Sequence, residues 1–202
     1  MEVDVSITAN ELKAFLNIGD TVDDSLLIGA VAASDQWVTE YCGRSFTTVE
    51  TPTAKTFRPT DAYVLVVKDF WTLTGLVVKT DDDDDGTFET TWVIGTDFTV
   101  DVDDDRPYGE LVAVGSRTFP VGHRWRRSVE VTAAWGWAEM PGPVKQASLI
   151  QAARIFKRKD SPAGVLGGFA DFTALRVSSR IDPDVADMLQ PFRHPDIAVH
   201  VA

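Results

Sequence analysis

Apolar residues recur every three or four positions near both ends of the chain and every second position in its middle. Near the start, Leu12, Phe15 and Leu16 follow at helical spacing behind Thr8-Ala-Asn-Glu11. There a Thr hydroxyl can accept a backbone N–H while the Glu reaches back to the cap. Gly19 is the expected end of this short helix. A second helix is expected from Asp23 and Asp24, whose carboxylates suit the positive end of a helix dipole. Leu27, Val31, Ser34, Val38 and Tyr41 share one face, widened by Leu26, Ala30 and Trp37, and Gly43 supplies the stop. A stripe this wide needs more than one neighbour to cover it.

From Arg44 to Trp137 the period falls to two. "YVLVVKDF", "TGLVVKT", "TTWVIGTDFTVDV", "GELVAVGS" and "SVEVTAAWGW" are short, rich in Val, Thr and aromatics, and parted by Gly, Pro or Asp. They predict roughly six to eight strands, in a small sandwich or barrel. Helical spacing then returns. Pro143 suits a first helical position. Leu149, Ala152, Ala153 and Phe156 share one face, and Gln151, Arg154 and Arg158 the other. Ile155 falls with the polar residues and is expected at a contact surface. Past a Gly-rich stretch, "SPAGVLGGFADF", Asp182-Pro183-Asp184 reads as the N-cap and first turn of a last helix. That helix buries Val185, Met188, Leu189 and Phe192, and Pro191 and Pro195 close it. The expected fold class is therefore α+β. A small helical bundle is formed by both chain ends, residues 1–43 and 138–192, around an all-β, sandwich or barrel-like insertion at 44–137. Residues 193–202 form a C-terminal tail.

Composition narrows the function. The chain has 202 residues, 44% of them hydrophobic and 10% aromatic, enough to bury a core rather than remain disordered. The formal net charge of −12 opposes any grip on nucleic acid, which needs Lys and Arg to neutralise phosphates. Cys42 is the single cysteine, so an intrachain disulfide is excluded and a reducing compartment such as a cytoplasm fits. The opening "MEVDVSITANELK" lacks the apolar stretch of a signal peptide. No apolar run approaches the ~18 residues of a membrane span.

The candidate chemistry centres on "KTDDDDDGTFET". Asp81, Asp83 and Asp85 match positions 1, 3 and 5 of an EF-hand loop and Gly86 matches position 6. Position 12, however, is Trp92 instead of a glutamate, and both flanks read as strands. Asp85-Gly86 is thus expected as a hairpin turn carrying exposed charge on Asp82 and Asp84. A second acidic cluster contains Asp101, Asp103, Asp104 and Asp105. A calcium-dependent binding module using loops 81–85 and 101–105 is the alternative function. His123, His194 and His200 show no ligand spacing. No nucleophile elbow or Cys–His arrangement is present, so neither an enzyme nor a cofactor is expected. Two basic spots interrupt the acidic background: "HRWRR", from His123 to Arg127, and "RIFKRKD", from Arg154 to Asp160.

Four further stretches carry a family resemblance. "VKQASLIQAARIFKRKDSP", the following "GV" and "GF" loop, and "RIDPDVADMLQPFR" resemble the C-terminal half of head-to-tail connector (adaptor) proteins of tailed bacteriophages, of the actinobacteriophage type. "ELKAFLNIGDTVDDSLLIGAVAASDQWVTEYCGRSF" resembles the family's opening helix pair. The resemblance implies a structural protein of the virion, made in the host cytoplasm and placed at the head-to-tail interface. It implies a ring of copies of itself, about twelve, docked on the portal protein. The ring would extend the DNA channel toward a downstream neck or stopper protein, with DNA passing through without specific binding and no membrane involved. By the same resemblance Arg154, Ile155, Lys157, Arg158, Pro162, Gly164 and Arg193 are candidates for portal or neighbour contact. Asp82, Asp84, Asp103, Asp104 and Asp105 are candidates for acidic channel or surface loops.

Overall fold

The structure, a computed structural model, describes residues 2–3, 7–101, 106–122, 127–160 and 182–194. The chain divides into two compact units, one of Met1–Val5 and Ser45–Glu139, the other of Ser6–Arg44 and Met140–Ala202.

The second unit is helical. Helix α1 (Ala9–Leu16) opens on the expected capping box: Glu11 N–H donates to Thr8 Oγ1 at 3.1 Å, and Thr8 N–H donates to Glu11 Oε2 at 2.7 Å. It ends at Asn17, in the left-handed region at φ 57°, rather than at Gly19. Asparagine tolerates that conformation, and its N–H closes back on the last turn. Helix α2 (Asp24–Cys42) stops at Gly43, φ 66°, whose N–H donates to Thr39 O at 2.8 Å. Helix α3 (Gly142–Lys157) carries Pro143 in its first turn, where no intrahelical N–H is needed. Helix α4 (Pro183–Leu189) is capped by Asp182.

Leu12, Leu27, Ala30, Val31, Ala152, Ala153 and Phe156 are buried together between α1, α2 and α3, joined by Ile7. Ser34 Oγ bonds across the α2–α3 seam, donating to Ser148 O at 2.8 Å. Burial removes both groups from water, so this bond fixes register as well as adding energy.

The first unit is built on one antiparallel sheet. Its strands are β3 (Thr53–Phe57), β4 (Val64–Thr80), β5 (Thr90–Trp92), β6 (Phe98–Val100), β7 (Tyr108–Ala113) and β8 (Val129–Trp135). Their order is β3-β8-β4-β7-β6, with β5 pairing β4. Among the described residues β3 and β6 are the ends of this order. A separate ribbon pairs β1 (Glu2–Val3) with β2 (Thr48–Val49). The N-terminal residues, expected with the helices, thus join the β unit.

The long strand β4 binds the sheet together by lying between β8 and β7, then adding β5. It shifts register between Val66 and Phe70 and again between Thr72 and Val77. The first irregularity carries buried Asp69, which accepts from Trp137 Nε1 at 2.9 Å while its carbonyl accepts Gly136 N–H at 2.7 Å. These bonds satisfy a carboxylate and a backbone group that the bulge takes out of the ladder. The core on the inner face holds Leu65, Val67, Phe70, Val78, Phe98, Leu111, Val129, Val131 and Trp135. Trp92 stacks on Phe119 with centroids 4.7 Å apart.

Candidate functional site

Strands β4 and β5 form the expected hairpin, but the connection is the whole stretch 81–89 and not a two-residue Asp85-Gly86 turn. The reason is Asp81. Its side chain is fully buried; Oδ1 accepts Asp85 N–H at 3.2 Å and Oδ2 accepts Gly86 N–H at 2.8 Å. Its own N–H donates to Ser128 O at 2.9 Å. The chain folds around this carboxylate, using positive φ at Asp84 (63°) and Gly86 (92°) to reverse direction. Asp82 N–H donates to Glu89 Oε1 at 3.1 Å, and Thr90 Oγ1 donates to Asp82 Oδ2 at 2.7 Å.

The reversal brings carboxylate oxygens of Asp81, Asp83, Asp85 and Glu89 within 4.8 Å of one another. Hard oxygen donors at that spacing suit a cation such as calcium. Glu89 stands at position 9 counted from Asp81, itself an EF-hand ligand position, and position 12 remains without a carboxylate. Trp92 instead lies in the core and donates from Nε1 to Thr80 Oγ1 at 3.1 Å. Glu89 is absent from the sequence-based candidates although its spacing from Asp81 offers it, because the comparison stops at the missing glutamate of position 12. Asp82 and Asp84 are exposed, as is Asp101. Asp103, Asp104 and Asp105 lie outside the described residues.

The candidates on α3 separate. Arg154 is paired: Nη1 lies 2.7 Å from Asp182 Oδ2. Ile155 is half-buried against the helical core and does not stand free on an outer face. Lys157 and Arg158 are exposed and have no carboxylate partner among the described residues. Lys159 is engaged twice, with Asp23 at the start of α2 and over the Phe156 ring at 4.3 Å. Pro162 and Gly164 lie outside the described residues.

The root of the C-terminal tail is held against the end of α2. His194 N–H donates to Cys42 O at 2.7 Å, and the Arg193 guanidinium sits 5.1 Å from the centre of the Tyr41 ring. Tyr41 in turn stacks on Trp37 with centroids 5.4 Å apart. Burial pushes the Cys42 thiol up to about 11 despite the nearby Arg44 and Arg193 charges, so it is not a nucleophile at neutral pH. Of the "HRWRR" spot only Arg127 is described, and its Nη1 donates to Thr56 O at 3.0 Å. His123 to Trp125 and Arg126 lie outside the described residues, as does His200. No helix among the described residues is long and apolar enough to cross a membrane.

Residues 6–72 match the family model described as Phage gp6-like head-tail connector protein. That span runs from α1 through α2 and β3 into β4, and so includes part of the β region where no sequence motif was recognised. No curated protein sequence matches the chain. Two solved structures share the fold. The neck of an empty GTA particle, computed with C6 symmetry, contains a chain aligned over 96% of this one and 94% of its own length, with a TM-score of 0.56 at 17% identity. The virion of a native gene transfer agent (GTA) particle contains a chain aligned over the same shares, with a TM-score of 0.52 at 18% identity. The chain thus resembles phage head-tail connector proteins, a structural class and not an enzyme family.

Proposed function

We propose that this chain is a structural protein of a phage-type virion neck. It forms a ring that docks onto the portal and continues the DNA channel toward the next neck protein. The observation that carries this is the match of residues 6–72 to the connector family model, and the fold shared with neck-particle chains over nearly their whole length supports it.

The physical chemistry is compatible with that role. A net charge of −12 repels phosphates, so DNA can pass a wall of such subunits without adhering. Exposed Lys157 and Arg158, near the end of α3, have no carboxylate partner among the described residues and suit an acidic surface on the portal or a neighbour. Ring closure requires two different complementary surfaces on each copy. The test is assembly of the purified chain with a portal ring, followed by light scattering and electron microscopy. A symmetric added layer is expected, and failure to co-assemble would sink the proposal.

A second function has one observation in its favour: the four carboxylates gathered at 81–89. A calcium-dependent binding module would use them as ligands. Against it, Asp81 already accepts two backbone N–H groups within its own loop. Calorimetry with Ca²⁺ separates the two, since the connector role needs no binding heat and no rise in melting temperature.

A further inference from the structure

The chain after α4 turns back onto α2. Leu189, the last residue of α4, is fully buried, and a short 3₁₀ turn with Pro191 follows it at Gln190–Phe192. Past that turn two residues meet the end of α2. His194 N–H donates to Cys42 O at 2.7 Å, and the Arg193 guanidinium lies 5.1 Å from the centre of the Tyr41 ring. Tyr41 is itself stacked on Trp37, one helical turn back, with 10° between the ring planes. The stretch from Asp182 to His194 is thus a strap across the helical unit. Asp182 fastens one end to Arg154 of α3, and Arg193 with His194 fastens the other to α2.

The chemistry of a helix end explains the second fastening. The last carbonyls of an α-helix have no intrahelical donor. Gly43 N–H turns back to Thr39 O, and α2 carries no basic residue in its own last turn. Cys42 O is left for a donor from elsewhere, which His194 supplies. Arg193, like Arg44 just past the helix, brings the positive charge that a helix C-terminus favours.

The same fastening carries a fault. Arg193 Nε is buried and has no hydrogen-bond partner among the described residues. A buried donor without an acceptor loses its bond to water and receives none in exchange. The guanidinium is half-exposed, so it gains little from the ring or from the helix end. Opening this end of the strap returns water to the Nε donor. At the other end Asp182 is bonded through both oxygens.

We infer that Arg193 and His194 form a latch on the last turn of α2, and that it opens while α2 and α4 stay folded. The unpaired Arg193 donor limits its strength, so a side chain lacking that donor closes it more tightly. When it opens, the root of the C-terminal tail comes away from α2 without loss of the helical core. The device belongs to the single chain and goes beyond the role proposed above.

Amide hydrogen exchange in the full chain tests it, because His194 N–H is itself the latch donor. In wild type His194 is expected to exchange at least about tenfold faster than Val38 of α2 and Leu189 of α4. Arg193→Met keeps a slender side chain over the Tyr41 ring and removes the buried donor. It is expected to slow His194 by about threefold or more, with Val38 and Leu189 unchanged. Tyr41→Ala takes away the platform and is expected to speed His194, relative to Val38, by about as much. Three results overturn the latch. They are His194 exchanging in step with Val38 and Leu189 in wild type; unchanged or faster exchange at His194 in Arg193→Met; or an unchanged ratio of His194 to Val38 in Tyr41→Ala. Each is read without a portal ring, so a chain that forms no ring loses the connector role and leaves this result standing.

Discussion

Asp182 divides one carboxylate between two helices. Oδ1 accepts Asp184 N–H at 3.1 Å and caps α4, while Oδ2 lies 2.7 Å from Arg154 Nη1 on α3. A helix of seven residues has little stability of its own. Its place is set by this anchor at one end and by burial of Val185 and Leu189 along its inner face.

Asp182→Ala should therefore lower unfolding stability by about 1–2 kcal/mol, of which the lost cap contributes about 1. The ion pair adds less, because both side chains are about a third exposed and solvent screens them. Asp182→Asn keeps an oxygen for the cap and should lose under about 1 kcal/mol. Urea unfolding of the two variants checks the division. Equal losses would mean that the charge pair, and not the cap, is the larger contribution.

Gly136 is a position where no other residue fits. Its φ is 93°, and a Cβ there would stand 1.7 Å from Thr47 O and 2.9 Å from Thr47 C, where the backbone bridges Thr48 to Gly136. Gly136→Ala must part the two segments as well as strain φ, and should lower stability by roughly 3 kcal/mol or more. Gly29→Ala is the contrasting control, since its Cβ enters open space; it should raise stability by up to about 1 kcal/mol. Denaturant melts of the pair should move in opposite directions, and parallel shifts would contradict the geometry.

What could be read from the chain was what depends on residues a few positions apart. The Thr8–Glu11 box, the Gly43 stop and the Asp182 cap each close within one helical turn, and all three are present. What depends on distant residues was not legible. The pairing of Glu2-Val3 with Thr48-Val49 joins positions far apart in sequence, and no local pattern announces it. Ile155 was placed on a free polar face because a helical wheel assumes one buried side, whereas α3 is enclosed by α1, α2 and α4. In the acidic loop the grouping of Asp81, Asp83 and Asp85 followed from their spacing. Glu89, at position 9 of the same spacing, was equally legible; the burial of Asp81 was not, because it comes from the strands on either side. The exposure of Leu26 was hidden for the same reason: it was counted into the buried stripe of α2, and only the packed neighbours show which edge of a wide stripe stays uncovered.

Acid should weaken the helical unit through Glu11. Its carboxyl is held below the ordinary value of 4.5, first by the hydrogen bond from Lys145 and then by the Thr8 N–H. A depressed carboxyl contributes stability that is fully present above its unfolded value and disappears as pH falls through the lower folded value. Stability should thus decline as pH drops below about 4.5, and Glu11→Gln should flatten part of that decline. Wild type and Glu11→Gln should differ at neutral pH and converge in acid. A difference that stayed constant with pH would show that Glu11 acts through something other than its charge.

The acidic loop offers a test of what organises it. Asp81→Ala leaves the Asp85 and Gly86 N–H groups without their acceptor beside a buried site, which should cost about 1–3 kcal/mol and loosen residues 82–87. Asp81→Asn retains one carbonyl oxygen and should lose less. Asp83 is exposed, and among the described residues its Oδ1 accepts Asp85 N–H alone, at 3.3 Å. If the loop is held by its own backbone bonds, Asp83→Ala should leave amide exchange at 82–87 nearly unchanged, with or without a chelator. If a cation holds it, Asp83→Ala and chelation should each speed exchange as much as Asp81→Ala does, because every ligand would matter about equally. Hydrogen exchange on the three variants, read at Asp85 and Gly86, decides between a turn folded on a buried aspartate and a loop folded on an ion.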